Sequence, residues 1–90
     1  MLQDTHVLVV EDDDQTRELL AGVLINAGYK VSVAADKDSA LAFGRSDTID
    51  VALVDLRLRE ESGLDLLEVL RARPLPPEVI LLTGYASLET

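Results

Sequence analysis

The chain has 90 residues, of which 48% are apolar but only 3% aromatic, so its core must be built from aliphatic side chains. The absence of cysteine excludes disulfides and thiolate metal sites, and no apolar run approaches the roughly 20 residues of a membrane span, so we expect a cytoplasmic protein. Eight basic residues stand against 17 acidic ones, and the resulting net charge of −9 argues against direct binding of nucleic acid by this chain.

Short apolar runs alternate with amphipathic segments along the chain. Runs that are apolar at successive positions are typical of strands buried on both faces, whereas apolar residues three or four positions apart indicate helices. In chain order, the predicted elements are strand Val7–Val10, helix Gln15–Ala27, edge strand Lys30–Val33, helix Asp38–Arg45, strand Val51–Val54, a loop from Leu56 to Gly63, helix Leu64–Ala72 and strand Val79–Leu82.

The first and third helices carry apolar stripes that should face the core. Either Asp13 or Asp14 can cap the start of the first helix, and Gly28 can end it. The predicted stripes are Leu19, Leu20, Val23, Leu24 and Ala27 in the first helix, and Leu64, Leu67 and Leu70, broadened by Leu66 and Val69, in the third.

This alternation of strands and helices predicts an α/β fold with a parallel sheet, right-handed crossovers and helices on both faces. Ligand sites of such sheets lie at the carboxyl ends of the central strands. Glu11, Asp12 and Asp13 directly follow the first strand, Asp55 follows the third, and Thr83 follows the fourth. We therefore expect these polar residues to meet at one edge of the sheet.

The convergence of several carboxylates restricts the chemistry of that edge. Two like charges about 4 Å apart repel by roughly 4 kcal/mol at an effective dielectric constant near 20, so the cluster needs a cation or a retained proton. Oxygen ligands without cysteine or a nearby histidine suit Mg²⁺, which binds carboxylates together with phosphate oxygens. Because a carboxylate can itself be the nucleophile that forms an aspartyl phosphate, the residues point to phosphoryl chemistry.

Four short motifs carry a more specific signal. They are Val9-Val10-Glu11-Asp12-Asp13, Val54-Asp55-Leu56-Arg57-Leu58, Ser62-Gly63-Leu64 and Leu82-Thr83-Gly84-Tyr85. In order and spacing they resemble the receiver domain of a bacterial two-component response regulator, over the whole chain from about His6 to Thr90. The resemblance implies a flavodoxin-like (CheY-like) sheet with strand order 2-1-3-4 and, in a complete receiver, a fifth strand and a fifth helix.

The resemblance also implies a Mg²⁺ site. Asp12 would bind the ion directly, and Glu11 would act on the ion or on its water ligands. Asp55 and the backbone carbonyl of Arg57 would complete the protein ligands.

A second set of roles implied by the resemblance concerns the phosphoryl group. Asp55 would be the phosphoacceptor, Thr83 would supply the switch hydroxyl, and the backbone N–H of Gly84 would also face the phosphoryl group. A histidine kinase or a phosphotransfer protein would be the donor, and the domain would itself catalyse the transfer and the later hydrolysis. The family further implies regulation of transcription through an output domain outside this chain.

The chain departs from the family at its C-terminus, and we interpret residues 1–90 as a receiver domain that lacks the fifth strand and the fifth helix. The lysine that pairs with the phosphate in the family belongs to this missing part. Neither Lys30 nor Lys37 can replace it, because neither lies at the carboxyl end of a strand. Strand Val79–Leu82 would then be an apolar sheet edge, at which a second copy could bind to form a homodimer. Arg59 also stands where the family usually has proline.

Two alternative functions stay open at this point. Asp12-Asp13-Asp14-Gln15-Thr16 fits the Asp-x-Asp-x-Thr nucleophile motif of haloacid-dehalogenase-like phosphatases. That family, however, inserts a flap where a helix is predicted here. The phosphatase interpretation would also leave Asp55 without a role. The other alternative is an interaction module that works without phosphorylation. This alternative stays open because the phosphate-pairing lysine of the family is not among residues 1–90.

Overall fold

The computed structural model describes residues 5–46, 49–55, 57–58, 61–73 and 75–82. The four five-residue strands alternate with the helices, as the apolar pattern predicts. The elements are β1 (His6–Val10), α1 (Asp14–Asn26), β2 (Lys30–Ala34), α2 (Lys37–Ser46), β3 (Val51–Asp55), β4 (Arg57–Leu58), β5 (Glu61–Ser62), α3 (Gly63–Arg71) and β6 (Glu78–Leu82).

The main sheet has four parallel strands in the order β2-β1-β3-β6. This is the predicted order 2-1-3-4, with β6 as the fourth long strand, and the fold-class prediction is confirmed. All five residues of β1 are buried, as expected for a central strand covered on both faces. The strand lies between β2 and β3, so its carboxyl end opens into the middle of one sheet edge.

The largest part of the core lies between the sheet and helices α2 and α3. Leu66 and Leu70 of α3 are fully buried there, in one cluster with Val54 of β3. The complete cluster of buried residues is Leu8, Val10, Ala34, Ala40, Ile49, Ala52, Val54, Leu66 and Leu70. Because side chains alternate along a strand, Val7 and Val9 face the opposite side, where the right-handed crossover from β1 to β2 places α1.

The apolar stripe predicted for α1 is only partly buried, and this expectation was wrong in its extent. Leu20 and Leu24 are half-buried, but Leu19 is 67% exposed and Val23 is 60% exposed. The helix contacts the sheet along a narrower face than its sequence pattern predicts. In α3 the buried residues are likewise Leu66 and Leu70, on one side of the predicted stripe.

The predicted loop from Leu56 to Gly63 contains a short hairpin. β4 and β5 pair antiparallel, with Arg57 opposite Ser62 and Leu58 opposite Glu61. Two-residue strands are too short to produce an alternating apolar pattern, so the sequence could not indicate them.

Polar contacts fix β1 to its neighbours at the amino end of the sheet. The His6 backbone N–H donates to the Asp50 carboxylate at 2.8 Å, and the His6 Nε2 lies 2.7 Å from the Ser32 hydroxyl. These contacts tie β1 to β2 and to the start of β3. No helix among the described residues is long and apolar enough to cross a bilayer.

The exposed side of β6 leads to the first testable prediction. Among the described strands β6 pairs with β3 alone, and Ile80 in its centre is 51% exposed. An apolar strand edge favours pairing with a second copy, so we expect the 90-residue chain to self-associate at micromolar concentration. Ile80→Lys should shift the chain toward the monomer in sedimentation velocity.

The control for this prediction is Leu75→Lys, since Leu75 is 86% exposed but lies in the loop before β6. It should leave self-association unchanged. A wild-type chain that sediments as a monomer over the whole concentration range would contradict the prediction.

Candidate functional site

The register of the sheet brings the predicted acidic residues together. Val10 of β1 pairs with Val54 of β3, so the next residues, Glu11 and Asp55, lie side by side at the carboxyl edge. Asp12 follows in the turn that leads into α1. One carboxylate oxygen from each of Glu11, Asp12 and Asp55 lies within 4.8 Å of the other two. The cluster is partly sheltered, because Glu11 is buried and both aspartates are half-buried.

Glu11 is held through its backbone and its side chain. Its N–H donates to the carbonyl of Ala34 at the end of β2, at 3.0 Å. Its Oε2 accepts from the N–H of Asp13 at 3.1 Å, and its carbonyl accepts from Nη1 of Arg17 at 3.0 Å. These bonds fix the direction in which the chain leaves β1.

The other two residues of the acidic run serve the start of α1. The exposed Asp13 caps the helix by accepting from the N–H of Thr16 at 2.8 Å. Hydrogen bonds from the side chain and the N–H of Thr16 lower the pKa of Asp13. Asp14 pairs with Arg17, with 2.5 Å between Oδ1 and Nη2. The run of four carboxylates therefore divides into two site residues and two helix-start residues.

The environment of Glu11 favours its protonated form. The pKa of Glu11 is raised from 4.5 to about 7, chiefly by burial, and hydrogen bonds from Asp55 and Asp12 together with the charge of Asp55 contribute to the rise. The N–H of Asp13 acts in the opposite direction. Near neutral pH the cluster thus keeps a proton or requires a cation. An all-oxygen donor set of this kind fits a hard divalent cation such as Mg²⁺.

The raised pKa of Glu11 predicts how stability depends on pH. Between about pH 4.5 and 7 the folded chain holds a proton that the unfolded chain has lost, so the metal-free protein becomes less stable as pH rises. We expect Glu11 to account for a loss on the order of 1–3 kcal/mol across this window. Urea unfolding at several pH values in a chelating buffer measures it.

Glu11→Gln is the comparison for this measurement, because glutamine cannot ionise. The difference in unfolding free energy between wild type and variant should change between pH 4.5 and 7 and level off outside that window. The same pH slope in both proteins would show that other groups cause it.

For three other predicted site residues the structure describes the backbone only or nothing at all. Arg57 begins β4, two positions after Asp55, and its side chain lies outside the described residues. Thr83 and Gly84 lie outside them as well. Their roles remain predictions.

Arg17 is a residue of the site region that the sequence analysis did not single out. Its guanidinium joins the carbonyl of Glu11 to the carboxylate of Asp14, and its side chain is 18% exposed. The spacing of three positions between Asp14 and Arg17 on a helix is the one sequence signal for the ion pair. The bond to the Glu11 carbonyl depends on the path of the turn and has no such signal.

Known proteins share both the sequence pattern and the fold. Residues 7–90 match the family model of the response regulator receiver domain. The acid tolerance regulatory protein ActR of Rhizobium meliloti is 33% identical over 87 residues, which cover 97% of this chain and 45% of ActR. The probable transcriptional regulatory protein TcrX of Mycobacterium tuberculosis is 36% identical over 87 residues, covering 97% of this chain and 37% of TcrX. The chain thus spans less than half the length of these two relatives.

The solved structures of one response regulator, TrrA of Thermotoga maritima, are similar to the chain. TrrA in complex with Mg²⁺ and BeF superposes with a TM-score of 0.83 and 31% identity, over 92% of this chain and 72% of TrrA. TrrA in complex with the histidine kinase ThkA gives a TM-score of 0.81 and 32% identity, over 90% of this chain and 70% of TrrA. Sequence, fold and family model agree, and the chain belongs to the receiver domains of two-component response regulators.

Proposed function

We propose that this chain accepts a phosphoryl group on Asp55 in the presence of Mg²⁺, with a histidine kinase or a phosphotransfer protein as the donor. The observation that carries the proposal is the cluster of Glu11, Asp12 and Asp55, whose carboxylate oxygens lie within 4.8 Å of one another. A cluster of like charges at the ligand-binding edge of a parallel sheet suits a cation and a phosphoryl group. The TrrA structure with Mg²⁺ and BeF supports the assignment by similarity.

Asp55 is the proposed nucleophile because it ends a central strand and is half-buried. Its carboxylate oxygen would attack phosphorus as the bond between phosphorus and the donor's imidazole nitrogen breaks, and the imidazole would leave with the bonding electron pair and take up a proton. Hydrolysis by water would later restore the carboxylate.

Glu11, Asp12, Asp55 and the backbone carbonyl of Arg57 are the proposed ligands of Mg²⁺. When bound, Mg²⁺ would reduce the repulsion between these carboxylates and the phosphoryl oxygens. Asp12 would hold the ion directly. Glu11 would release its proton when the ion binds, since the pKa of about 7 reflects burial beside two other carboxylates.

Thr83 and Gly84 complete the proposal on the phosphoryl side. The last residue of β6, Leu82, pairs with Asp55, and Thr83 and Gly84 come next in the chain. The Thr83 hydroxyl would serve as the switch group that binds a phosphoryl oxygen, and the Gly84 N–H would bind another.

The proposed setting is a cytoplasmic signalling pathway. TrrA has been solved with the histidine kinase ThkA, which supports a kinase as the partner of this chain. TcrX is named as a probable transcriptional regulatory protein, which supports a role in transcription. With a net charge of −9, this chain would act on DNA through an output domain and not by direct contact.

The phosphatase alternative fits the structure less well. Helix α1 begins at Asp14, directly after its cap residue Asp13, where the phosphatase family inserts a flap. Asp55 also lies in the same carboxylate cluster as Asp12, and that alternative assigns it no role.

Intact-mass spectrometry with acetyl phosphate tests the proposed function. With Mg²⁺ the chain should gain one phosphoryl group, and with a chelator it should gain none. Release of phosphate from a phosphate monoester over many turnovers, without a stable mass gain, would favour the phosphatase. No mass gain and no turnover in a folded chain would overturn both functions.

A further inference from the structure

Arg17 lies beside the carboxylate cluster and bonds the residues on either side of Asp12 and Asp13. Its Nη1 donates to the carbonyl of Glu11 at 3.0 Å, and its Nη2 lies 2.5 Å from Oδ1 of Asp14. The two partners lie on opposite sides of the turn, at the end of β1 and in the first helical position of α1. The fork of the guanidinium therefore spans the turn that contains Asp12.

The carbonyl that Arg17 binds belongs to the peptide unit between Glu11 and Asp12. The other groups of Glu11 are already bonded, its N–H to the carbonyl of Ala34 and its carboxylate to the N–H of Asp13. The orientation of this peptide unit sets the direction of the Asp12 side chain relative to Glu11. Arg17 supplies a charged hydrogen bond that holds it.

We propose that Arg17 is a positioning residue for the Mg²⁺ site, which acts by holding the Glu11 carbonyl and thereby the turn that presents Glu11 and Asp12. This inference rests on the proposed function, because it concerns the same site. Residues outside the ligand set that orient ligands commonly change metal affinity by about 10- to 100-fold when they are replaced.

An ordinary surface ion pair is the competing explanation, and it applies well to the contact with Asp14. The Asp14 side chain is 82% exposed, and exposed pairs contribute little to stability. The contact with the Glu11 carbonyl differs, because Glu11 is buried and Arg17 is itself largely sheltered. The proposed role depends on this second contact.

The sign of the charge effect separates positioning from simple electrostatics. The positive charge of Arg17 repels a divalent cation, so its removal by Arg17→Gln would by charge alone tighten Mg²⁺ binding. Loss of the bond to the Glu11 carbonyl would weaken binding. The two explanations therefore predict changes of opposite direction in the same variant.

The experiment measures the Mg²⁺ dissociation constant by titrating the amide signals of wild type, Arg17→Gln and Arg17→Lys. We expect Arg17→Gln to raise the constant about tenfold. Arg17→Lys should raise it less than Arg17→Gln does, since a lysine ammonium can still donate to the Glu11 carbonyl although it lacks the guanidinium fork. The rate of phosphoryl uptake from acetyl phosphate should return to near the wild-type value at saturating Mg²⁺.

Arg71→Gln is the matched control, because it removes the same charge from an exposed position at the end of α3. It should leave the dissociation constant within about twofold of wild type. All titrations are done well below the melting temperature of each variant, so that a loss of stability does not alter the folded fraction.

Each outcome distinguishes the inference from the function on which it rests. An unchanged or lower Mg²⁺ dissociation constant in folded Arg17→Gln would overturn the positioning role and leave the proposed function intact. No Mg²⁺ binding by the wild-type chain would overturn the proposed function and the inference with it.

Discussion

Replacing Asp55 by asparagine should abolish Mg²⁺-dependent phosphoryl uptake from acetyl phosphate. The amide is a poor nucleophile at its oxygen and carries no charge, so the step that forms the aspartyl phosphate is lost. The variant should still fold, because the substitution removes a like charge from beside Glu11 and Asp12. The pKa of Glu11 should also fall below about 7, but it should stay raised because burial, the main cause, remains.

Asp38→Asn is the matched control, since Asp38 is an exposed aspartate in the first turn of α2. It should take up phosphoryl groups at the wild-type rate. Intact-mass spectrometry follows uptake in all three proteins, and circular dichroism checks their fold. Full uptake by folded Asp55→Asn would show that another residue is the acceptor.

Replacing Asp12 by alanine should abolish the response of the amide signals to Mg²⁺. Asp12 is half-buried beside the other two carboxylates, and Mg²⁺ in proteins usually keeps several water ligands and depends on few carboxylates. The loss of one of them from so small a ligand set removes most of the binding free energy. We expect no saturable shift at Mg²⁺ concentrations that saturate the wild-type chain.

Glu68→Gln provides the comparison, because Glu68 is exposed on α3 and the substitution removes the same charge as Asp12→Ala does. Its Mg²⁺ titration should match that of wild type. If Asp12→Ala binds Mg²⁺ as tightly as wild type does, then Asp12 is not a ligand.

The arrangement of the sheet could be predicted from short stretches of sequence. The apolar run Val7–Val10 indicated a strand covered on both faces, and all of β1 is buried. The strand-helix rhythm then implied a parallel sheet, in which the ends of β1 and β3 meet. The proximity of Glu11 and Asp55 follows from the pairing of Val10 with Val54. Asp13 was one of two candidates for the cap of α1, and the structure selects it.

Other features depend on tertiary contacts that no local pattern encodes. Leu19 and Val23 fit an amphipathic stripe, but how much of a helix is buried depends on the surface against which it packs. The hairpin of β4 and β5 is too short to have a period. The bond from Arg17 to the Glu11 carbonyl joins residues on either side of a turn, and only the path of the turn determines it.

The central claim is that Asp55 is the phosphoacceptor, and the most direct test identifies the modified residue. The chain is incubated with acetyl phosphate and Mg²⁺, the acyl phosphate is reduced with borohydride, and the product is mapped by peptide mass spectrometry. Reduction converts a phosphorylated aspartate into homoserine, which marks the site permanently. We predict homoserine at position 55 and aspartate at position 12. Homoserine at position 12, with an unmodified Asp55, would contradict the receiver mechanism.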